Sequence, residues 1–239
     1  TDWRVKLTLG GAQNNPLATE MQQPVLQPLA EFGGVVFPIT PTILVQHVAH
    51  YNAQGLVHTN YPYYAYQNSE TMAININGTL PVSNEEEGKY WIATVHFLRT
   101  ATKMFYGGGD AVRGSPPPIL RLNGYGDYVF PNVPVVITNF TVELGEDVDY
   151  IPVEVTGTNT SFANASTILQ NPIRGRASSS VSKFAAQQKR ERQGKNITRV
   201  PMVSNLNVQC QPIYSRNEIT NNFNLKKFAS GGNIKDGFI

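Results

Sequence analysis

Hydrophobic and polar residues alternate along much of the chain with the period of two that is typical of half-buried β-strands. The first example is the run from Trp3 to Leu9, where the odd positions are apolar and the even positions are polar. Further strands are predicted at 35–39, 43–51, 72–76, 119–122, 128–130, 133–142, 148–155 and 202–211. Glycine and proline residues separate these runs, as they do between short strands. Because the runs do not alternate with helices, we predict a mainly-β fold, either an antiparallel two-sheet sandwich or a barrel.

One stretch, residues 83–106, has the helical period instead. Ser83 can serve as its N-cap, and Glu86 stands three positions later, as in a capping box. The glycines at 107–109 are suited to end the helix. The apolar stripe of this helix consists of Trp91, Val95, Leu98, Thr102 and Phe105. We expect Trp91, Val95, Leu98 and Phe105 to pack against the sheet.

The distribution of charge adds a second feature to this picture. The chain has 239 residues, of which 41% are hydrophobic and 15% are charged, and we predict one domain over residues 1–239. Residues 171–200 hold eight basic residues and one acidic residue, whereas the remainder holds 11 basic and 16 acidic residues. We therefore expect an acidic body with a long basic excursion at 157–200, followed by a C-terminal extension at 215–239.

The basic residues at 171–200 have two interpretations. They could contact nucleic acid, or they could contact an acidic neighbouring subunit. The single aromatic residue among them, Phe184, provides no platform on which bases could stack, and this favours the protein contact. The candidate contacts to another subunit are Lys189, Arg190, Arg192 and Lys195.

Candidate catalytic and metal-binding residues are few. His47 and His50 would point to opposite faces of a strand, so they would not easily share a metal ion. Cys210 lies in an apolar strand register, as a small buried residue does. The acidic residues at 146–149 are typical of a solvated loop, and paired acids for glycoside hydrolysis remain an alternative. We therefore predict a protein that is not an enzyme and that has no cofactor or metal.

Three further features bear on partners and location. Tyr61, Tyr63, Tyr64 and Tyr66 form a tyrosine-rich stretch that suits either a protein interface or a sugar-binding surface. No apolar run reaches the roughly 18 residues of a membrane span, so no membrane insertion is expected. The first residues lack the basic and then apolar layout of a signal peptide, and Cys210 is the single cysteine, so we expect assembly in a reducing cytoplasm.

An ordered series of short motifs, spread over most of the chain, gives the most specific indication of function. The series comprises VFPITP at 36–41, HTNY at 58–61, YQNS at 66–69, HFLRTATKMFYG at 96–107, GSPPP at 114–118, GYGDY at 124–128, DVDY at 147–150, PIYSR at 212–216 and FNLKKF at 223–228. In this series the chain resembles the tail-tube-like baseplate proteins of T4-like contractile-tailed bacteriophages, namely the tube-initiator and tube-cap family.

The resemblance implies a structural component of the virion tail and baseplate. Its fold would be two antiparallel sheets packed with one helix, and its copies would close into a hexameric ring whose inner sheets join in a continuous β-barrel. Such a ring links the baseplate hub to the tail tube and templates tube polymerisation. The implied partners are further copies of the chain, the hub protein, the tail tube protein, the tape-measure protein and DNA that passes without sequence-specific binding.

Two other functions remain open on the residues alone. The first is a host- or glycan-binding β-module of the virion, which would use the tyrosines. The second is a cell-wall hydrolase, which would use the acidic residues. If the chain does form a tube, the net negative charge of its body leads us to expect an acidic channel wall that repels DNA.

Overall fold

A computed structural model describes residues 3–10, 17–18, 21–106, 114–155 and 197–239 of the protein. The strands are β1 Lys6–Leu9, β2 Gly34–Val36, β3 Thr42–Leu44, β4 His47–Gln54, β5 Tyr63–Thr71, β6 Ile74–Pro81, β7 Leu120–Gly124, β8 Phe130–Glu143, β9 Tyr150–Glu154, β10 Ile197–Pro201 and β11 Val203–Pro212. The helices are α1 Gln27–Ala30, α2 Glu85–Ala101, α3 Arg216–Asn222 and α4 Leu225–Ala229, and a 3-10 turn spans Ile234–Asp236.

Seven of these strands form one sheet, in the order β2-β1-β7-β8-β11-β6-β3. Every pairing in it is antiparallel. The pairs β9–β10 and β4–β5 form separate two-stranded sheets. The predicted mainly-β, antiparallel architecture is therefore confirmed. Of the two predicted forms, a closed barrel is not built by the described strands, because the seven-stranded sheet stays open.

The hydrophobic core lies on the inner face of the seven-stranded sheet. Along β6 the apolar residues Ile74, Ile76 and Leu80 are buried, while the polar residues between them face outward. β11 follows the same alternation, with Leu206 and Val208 buried. Each such side chain stabilises the fold by about 1.5–3 kcal/mol relative to an exposed position. The helix α2 contacts β2, β8, β9 and β10 and covers this core.

The N-terminus of α2 differs from the prediction by one residue. The N-cap is Asn84, not Ser83, and its side chain accepts a hydrogen bond of 2.8 Å from the N–H of Glu87. The carboxylate of Glu87 accepts a bond of 2.7 Å from the N–H of Ser83. The capping contacts therefore involve Asn84 and Glu87 and not the predicted pair Ser83 and Glu86.

The C-terminus of α2 also lies earlier than predicted. The helix ends at Ala101, and the Thr102 hydroxyl donates a hydrogen bond of 3.0 Å to the carbonyl of Arg99. A threonine that bonds to the preceding turn competes with continuation of the helix. Phe105 thus lies outside the helix, where it pairs with Ser115 in an isolated β-bridge. It is half-buried and still packs against the core.

The predicted apolar stripe is confirmed inside α2. Its buried members are Trp91, Val95 and Leu98. The indole N–H of Trp91 donates a hydrogen bond of 2.6 Å to the hydroxyl of Ser204, which joins α2 to β11. Gly88 permits the close approach of α2 to β9, since a Cβ atom there would lie 2.4 Å from Cγ2 of Val153.

The C-terminal extension folds back onto the outer face of the sheet. Ser215 and Glu218 form a capping box that begins α3. The ring of Tyr214 stacks on that of Phe238 with 4.9 Å between centroids, and the 3-10 turn contacts β8. Beside this turn, a Cβ on Gly237 would lie only 2.7 Å from the carbonyl oxygen of Asn132, so the two backbones are in close contact. The extension therefore covers the outer face near the first half of β8.

Candidate assembly surface

A long hairpin leaves the seven-stranded sheet at its β3 edge. β3 pairs with β6, for example through Ile43 and Ile76. The ladder continues where the N–H of Met72 donates a hydrogen bond of 2.8 Å to the carbonyl of Gln46. β4 and β5 then extend it as a two-stranded ribbon. We call residues 47–71 the arm.

The arm is exposed over nearly its whole length. Every residue of β4 and β5 is exposed or half-buried. Five tyrosines are between 57% and 85% exposed, namely Tyr51, Tyr61, Tyr63, Tyr64 and Tyr66. A two-stranded hairpin is marginally stable by itself, and a contiguous group of exposed aromatic side chains marks an interaction surface. The predicted tyrosine-rich stretch therefore lies on the surface, on a projecting element.

Contacts within the arm hold its two strands in register. The rings of Tyr51 and Tyr66 pack edge to face, with 5.6 Å between their centroids. The Tyr66 hydroxyl donates a hydrogen bond of 2.9 Å to the hydroxyl of Ser69. Nε2 of His50 lies 2.9 Å from a carboxylate oxygen of Glu70. Because these contacts are exposed, we expect them to order the arm without adding much stability.

Each of two strands at this surface contains a β-bulge. In the arm, His50 pairs with Asn68 and Tyr51 with Tyr66, so Gln67 is an extra residue in β5. In β8, Thr138 is the extra residue opposite β11, and its hydroxyl donates a bond of 3.1 Å to the carbonyl of Gln209. A bulge increases the local twist of a strand and changes its direction.

Several strand edges near the arm carry no partner strand in the part of the chain that the structure describes, the outer edge of β5 among them, and two of these edges flank one block of the main sheet. One is the outer edge of β3 and β4, since β3 pairs only with β6 and β4 only with β5. The other belongs to β8. Its first half, residues 130–135, pairs with β7, whereas residues 136–143 pair only with β11. The two free edges lie on opposite sides of a block in the order β8-β11-β6-β3.

The edge at β2 is closed by a side chain. The Tyr90 hydroxyl, which comes from α2, accepts a hydrogen bond of 2.7 Å from the N–H of Val36 and donates one to the carbonyl of the same residue. Burial raises the pKa of Tyr90, so the hydroxyl keeps the proton that it donates. Both backbone groups of Val36 are thus satisfied. An edge that is satisfied in this way is a poor template for another strand.

The candidate chemical groups of the sequence do not converge on one site. Cys210 is buried, and burial raises its pKa to about 12, so its thiol is not a nucleophile at neutral pH. His47 contacts Thr71, with 3.3 Å between Nδ1 and Oγ1, whereas His50 contacts Glu70. The acidic residues of the 146–149 loop are exposed. Within the described ranges, no three His, Cys, Asp or Glu residues are grouped so that they could hold a metal ion.

The predicted basic contacts, Lys189, Arg190, Arg192 and Lys195, lie outside the described residues. Pro131 and Pro134 in the sequence predict an edge or a bulge in β8, and the pairing with β7 does shift register opposite them, between Leu122 and Gly124. The free edge at residues 136–143 was not predicted from the sequence. Its alternation marks a strand, but not the side on which that strand is paired. None of the helices in the described ranges has the length and apolar character needed to cross a membrane.

Comparison with known proteins adds no assignment. No protein-family model matches the chain, and no curated protein matches its sequence. A functional assignment therefore depends on the motif series of the sequence and on the geometry of the arm and the free edges.

Proposed function

We propose that the protein is a structural subunit of a contractile-tailed bacteriophage, forming a ring at the baseplate-proximal end of the tail tube. In this proposal the sheets of neighbouring copies join through their edges into a continuous β-barrel. The hexameric number of copies and the position between hub and tube come from the motif series. We propose no catalytic role.

The observation that carries this proposal is the pair of free strand edges on opposite sides of one sheet. An unpaired edge presents a row of N–H and C=O groups that invites pairing with another chain. Within the described subunit these two edges are not paired with each other, because the seven-stranded sheet stays open. Joining the β3–β4 edge of one copy to the 136–143 edge of the next satisfies both. Such a contact is heterologous, and it gives a closed ring when the rotation between copies closes.

Two other features support assembly. The arm projects from the sheet with its tyrosines exposed, and tyrosine is enriched at protein interfaces. The β2 edge, by contrast, is closed by Tyr90, so strand addition is favoured at the other edges. In the proposed ring the two ends differ, so one can contact the baseplate hub and the other the tail tube protein. The tape-measure protein and DNA would occupy the channel.

The proposal is tested by shortening the arm. Residues 49–69 are replaced by Asn-Gly, a two-residue turn that joins the paired residues Val48 and Glu70. Negative-stain electron microscopy and sedimentation velocity at high protein concentration should show rings or short stacks for the wild type. The shortened variant should remain monomeric, with the circular dichroism spectrum of a folded β protein.

A matched pair of substitutions serves as the control. Tyr64 in the arm and Tyr128 outside it are 65% and 68% exposed, so Y64S and Y128S remove similar surface. Only Y64S should weaken the rings. Rings that form normally with the shortened arm would refute its role. A wild type that stays monomeric, both alone and with the hub protein, would refute the ring.

Glycan binding by the arm is the second candidate, and the exposed tyrosines favour it. Aromatic side chains on a projecting surface can stack against sugar rings. A monomer that binds a glycan array, and that loses binding in Y63A and Y64A, would support this function over the ring.

A further inference from the structure

The outer face of the block β3-β6-β11-β8 is built mainly from amide and hydroxyl side chains, with Leu44 and Glu143 as the exceptions. The residues stand in three rows across the strands: Thr79, Asn205 and Glu143; Thr42, Asn77, Asn207 and Thr141; Leu44, Asn75, Gln209 and Asn139. They alternate with the buried residues of the core, so all of them belong to the outer face. We call this surface the amide face.

The amide face is nearly uncharged. Glu143 is its one ionisable residue among the described strands of the three rows, and the side-chain amide of Asn205 donates a hydrogen bond of 3.0 Å to its carboxylate. Thr79 donates a bond of 3.2 Å to the side-chain oxygen of the same asparagine. The face thus presents a mixture of donors and acceptors that face water, without a lysine or arginine.

Within the described strands, the cations of the outer face lie on its other half. Lys6 and Arg121 belong to β1 and β7, beyond the first half of β8. The Arg121 guanidinium donates a hydrogen bond of 3.2 Å to the carbonyl of Asn132. Its charge also helps to lower the pKa of Glu218 in the C-terminal extension, after the larger effect of the bonds from Ser215. Among the described residues, the extension therefore engages the cationic half and does not cover the amide face.

We infer that the amide face is the channel wall past which double-stranded DNA moves without being held. This inference rests on the proposed ring. DNA affinity comes chiefly from lysine and arginine contacts that release counterions from the phosphates. A face of hydrated amides and hydroxyls offers no such contact, and it holds no strong repulsive field either. The wall then works by neutrality, and not by the acidic repulsion that the net charge of the body led us to expect.

The inference specifies which face of the sheet points into the channel of the ring. If the edges of β3–β4 and β8 join between copies, the block β8-β11-β6-β3 is the part of the sheet that continues around the barrel. One face of this block is occupied by the core and α2. The other face, the amide face, is then the one available to line the channel.

The test places lysines on the amide face and elsewhere. Asn77 and Asn207 are exposed and directly paired across β6 and β11, so N77K/N207K adds two cations to the face. H96K/Y128K adds two lysines at exposed positions on α2 and before β8, away from the face. N77Q/N207Q keeps the amides and controls for side-chain length. Each protein is assembled into rings and titrated with a fluorescent duplex of about 30 base pairs at low and high salt.

Wild-type and N77Q/N207Q rings should bind the duplex weakly and with little salt dependence. N77K/N207K rings should bind it at least about tenfold more tightly at low salt and lose this gain at high salt. Equal gains from H96K/Y128K, or tight binding by wild-type rings, would overturn the inference while leaving the ring intact. Absence of rings in every sample would instead overturn the proposed function, and the inference with it.

Discussion

At the scale of single residues, Trp91 joins the helix to the sheet. Its side chain is 9% exposed, and its indole N–H bonds to Ser204, which is buried in β11. The aromatic ring fills space in the core, and the polar atom finds a partner there. Both properties are needed for a tryptophan to be buried without loss of stability.

Replacement of this residue should be costly. We expect W91A to lower the free energy of unfolding by about 3–5 kcal/mol, because the substitution leaves a cavity and removes the partner of the Ser204 hydroxyl. Urea unfolding followed by circular dichroism measures the change. Y64A, at an exposed aromatic position, is the control and should change stability by less than about 0.5 kcal/mol. Equal effects of the two variants would contradict the assigned packing.

The sequence predicts such core residues better than it predicts helix ends. The helical spacing of Trp91, Val95 and Leu98 is a property of several residues together, and burial of the stripe follows from it. The cap depends on a choice between Ser83 and Asn84, which are similarly good N-cap residues. In the structure the side chain of Asn84 accepts the bond from the N–H of Glu87, and nothing in the order of the two residues predicts this. Phe105 shows the same limit, since it packs on the core from outside the helix.

At the scale of elements, the two edge strands of the seven-stranded sheet, β2 and β3, differ in how they are protected. β2 is short and is capped by the Tyr90 hydroxyl, while β3 leads into an exposed arm. Natural proteins commonly protect one edge by a side chain or a short strand. Here the protection is on one side only, so the direction of strand addition is restricted.

Removing the protecting hydroxyl should expose the β2 edge. We expect Y90F to destabilise the subunit by about 1–3 kcal/mol, because it leaves the N–H and C=O of Val36 without their partner. The variant should also self-associate through β2, which sedimentation velocity of an arm-shortened background would detect. Y128F, which alters an exposed tyrosine, is the matched control. If Y90F matches the wild type in both measurements, the edge is protected by other groups.

The strand β8 shows why edges escape sequence-based prediction. The sequence indicates two runs, 128–130 and 133–142, separated by prolines, whereas the structure has one strand from Phe130 to Glu143. Pro134 is accommodated in the ladder opposite Arg121. Proline lacks an N–H and is tolerated where none is needed. Which edge of β8 is paired depends on β7 and β11. Part of that pairing is with residues distant in the chain, so the local sequence pattern does not show which edge is free.

At the scale of the whole molecule, the basic excursion leaves and returns at one place. Glu154 at the end of β9 pairs with Ile197 at the start of β10. The chain between them therefore begins and ends at adjacent backbone positions. The pairing of β9 with β10 places the two ends of the excursion side by side, whatever its length. The entropic cost of closing a loop changes slowly with the number of residues in it.

Deletion of residues 171–195 should therefore leave the subunit folded. We expect the free energy of unfolding to change by less than about 1 kcal/mol, because the cost of closing the loop depends only weakly on its length. We also expect loss of co-assembly with the hub protein or with a neighbouring ring. The variant removes Lys189, Arg190, Arg192 and Lys195, the predicted contacts. Thermal unfolding and co-sedimentation with the partner measure the two effects. Normal co-assembly of the deletion variant would refute the predicted role of the basic residues.

The bulge at Gln67 has a consequence for how the arm can change over evolution. Side chains alternate between the two faces of a strand, so the loss or gain of one residue inverts every side chain beyond that point. Residues 63–66 therefore present their tyrosines as they do because β5 contains one more residue than β4 up to this position. Natural variation in the length of the arm should occur in steps of two residues, or in single steps at the bulge itself. The number of residues in each strand of the arm therefore decides which side chains each of its two faces presents.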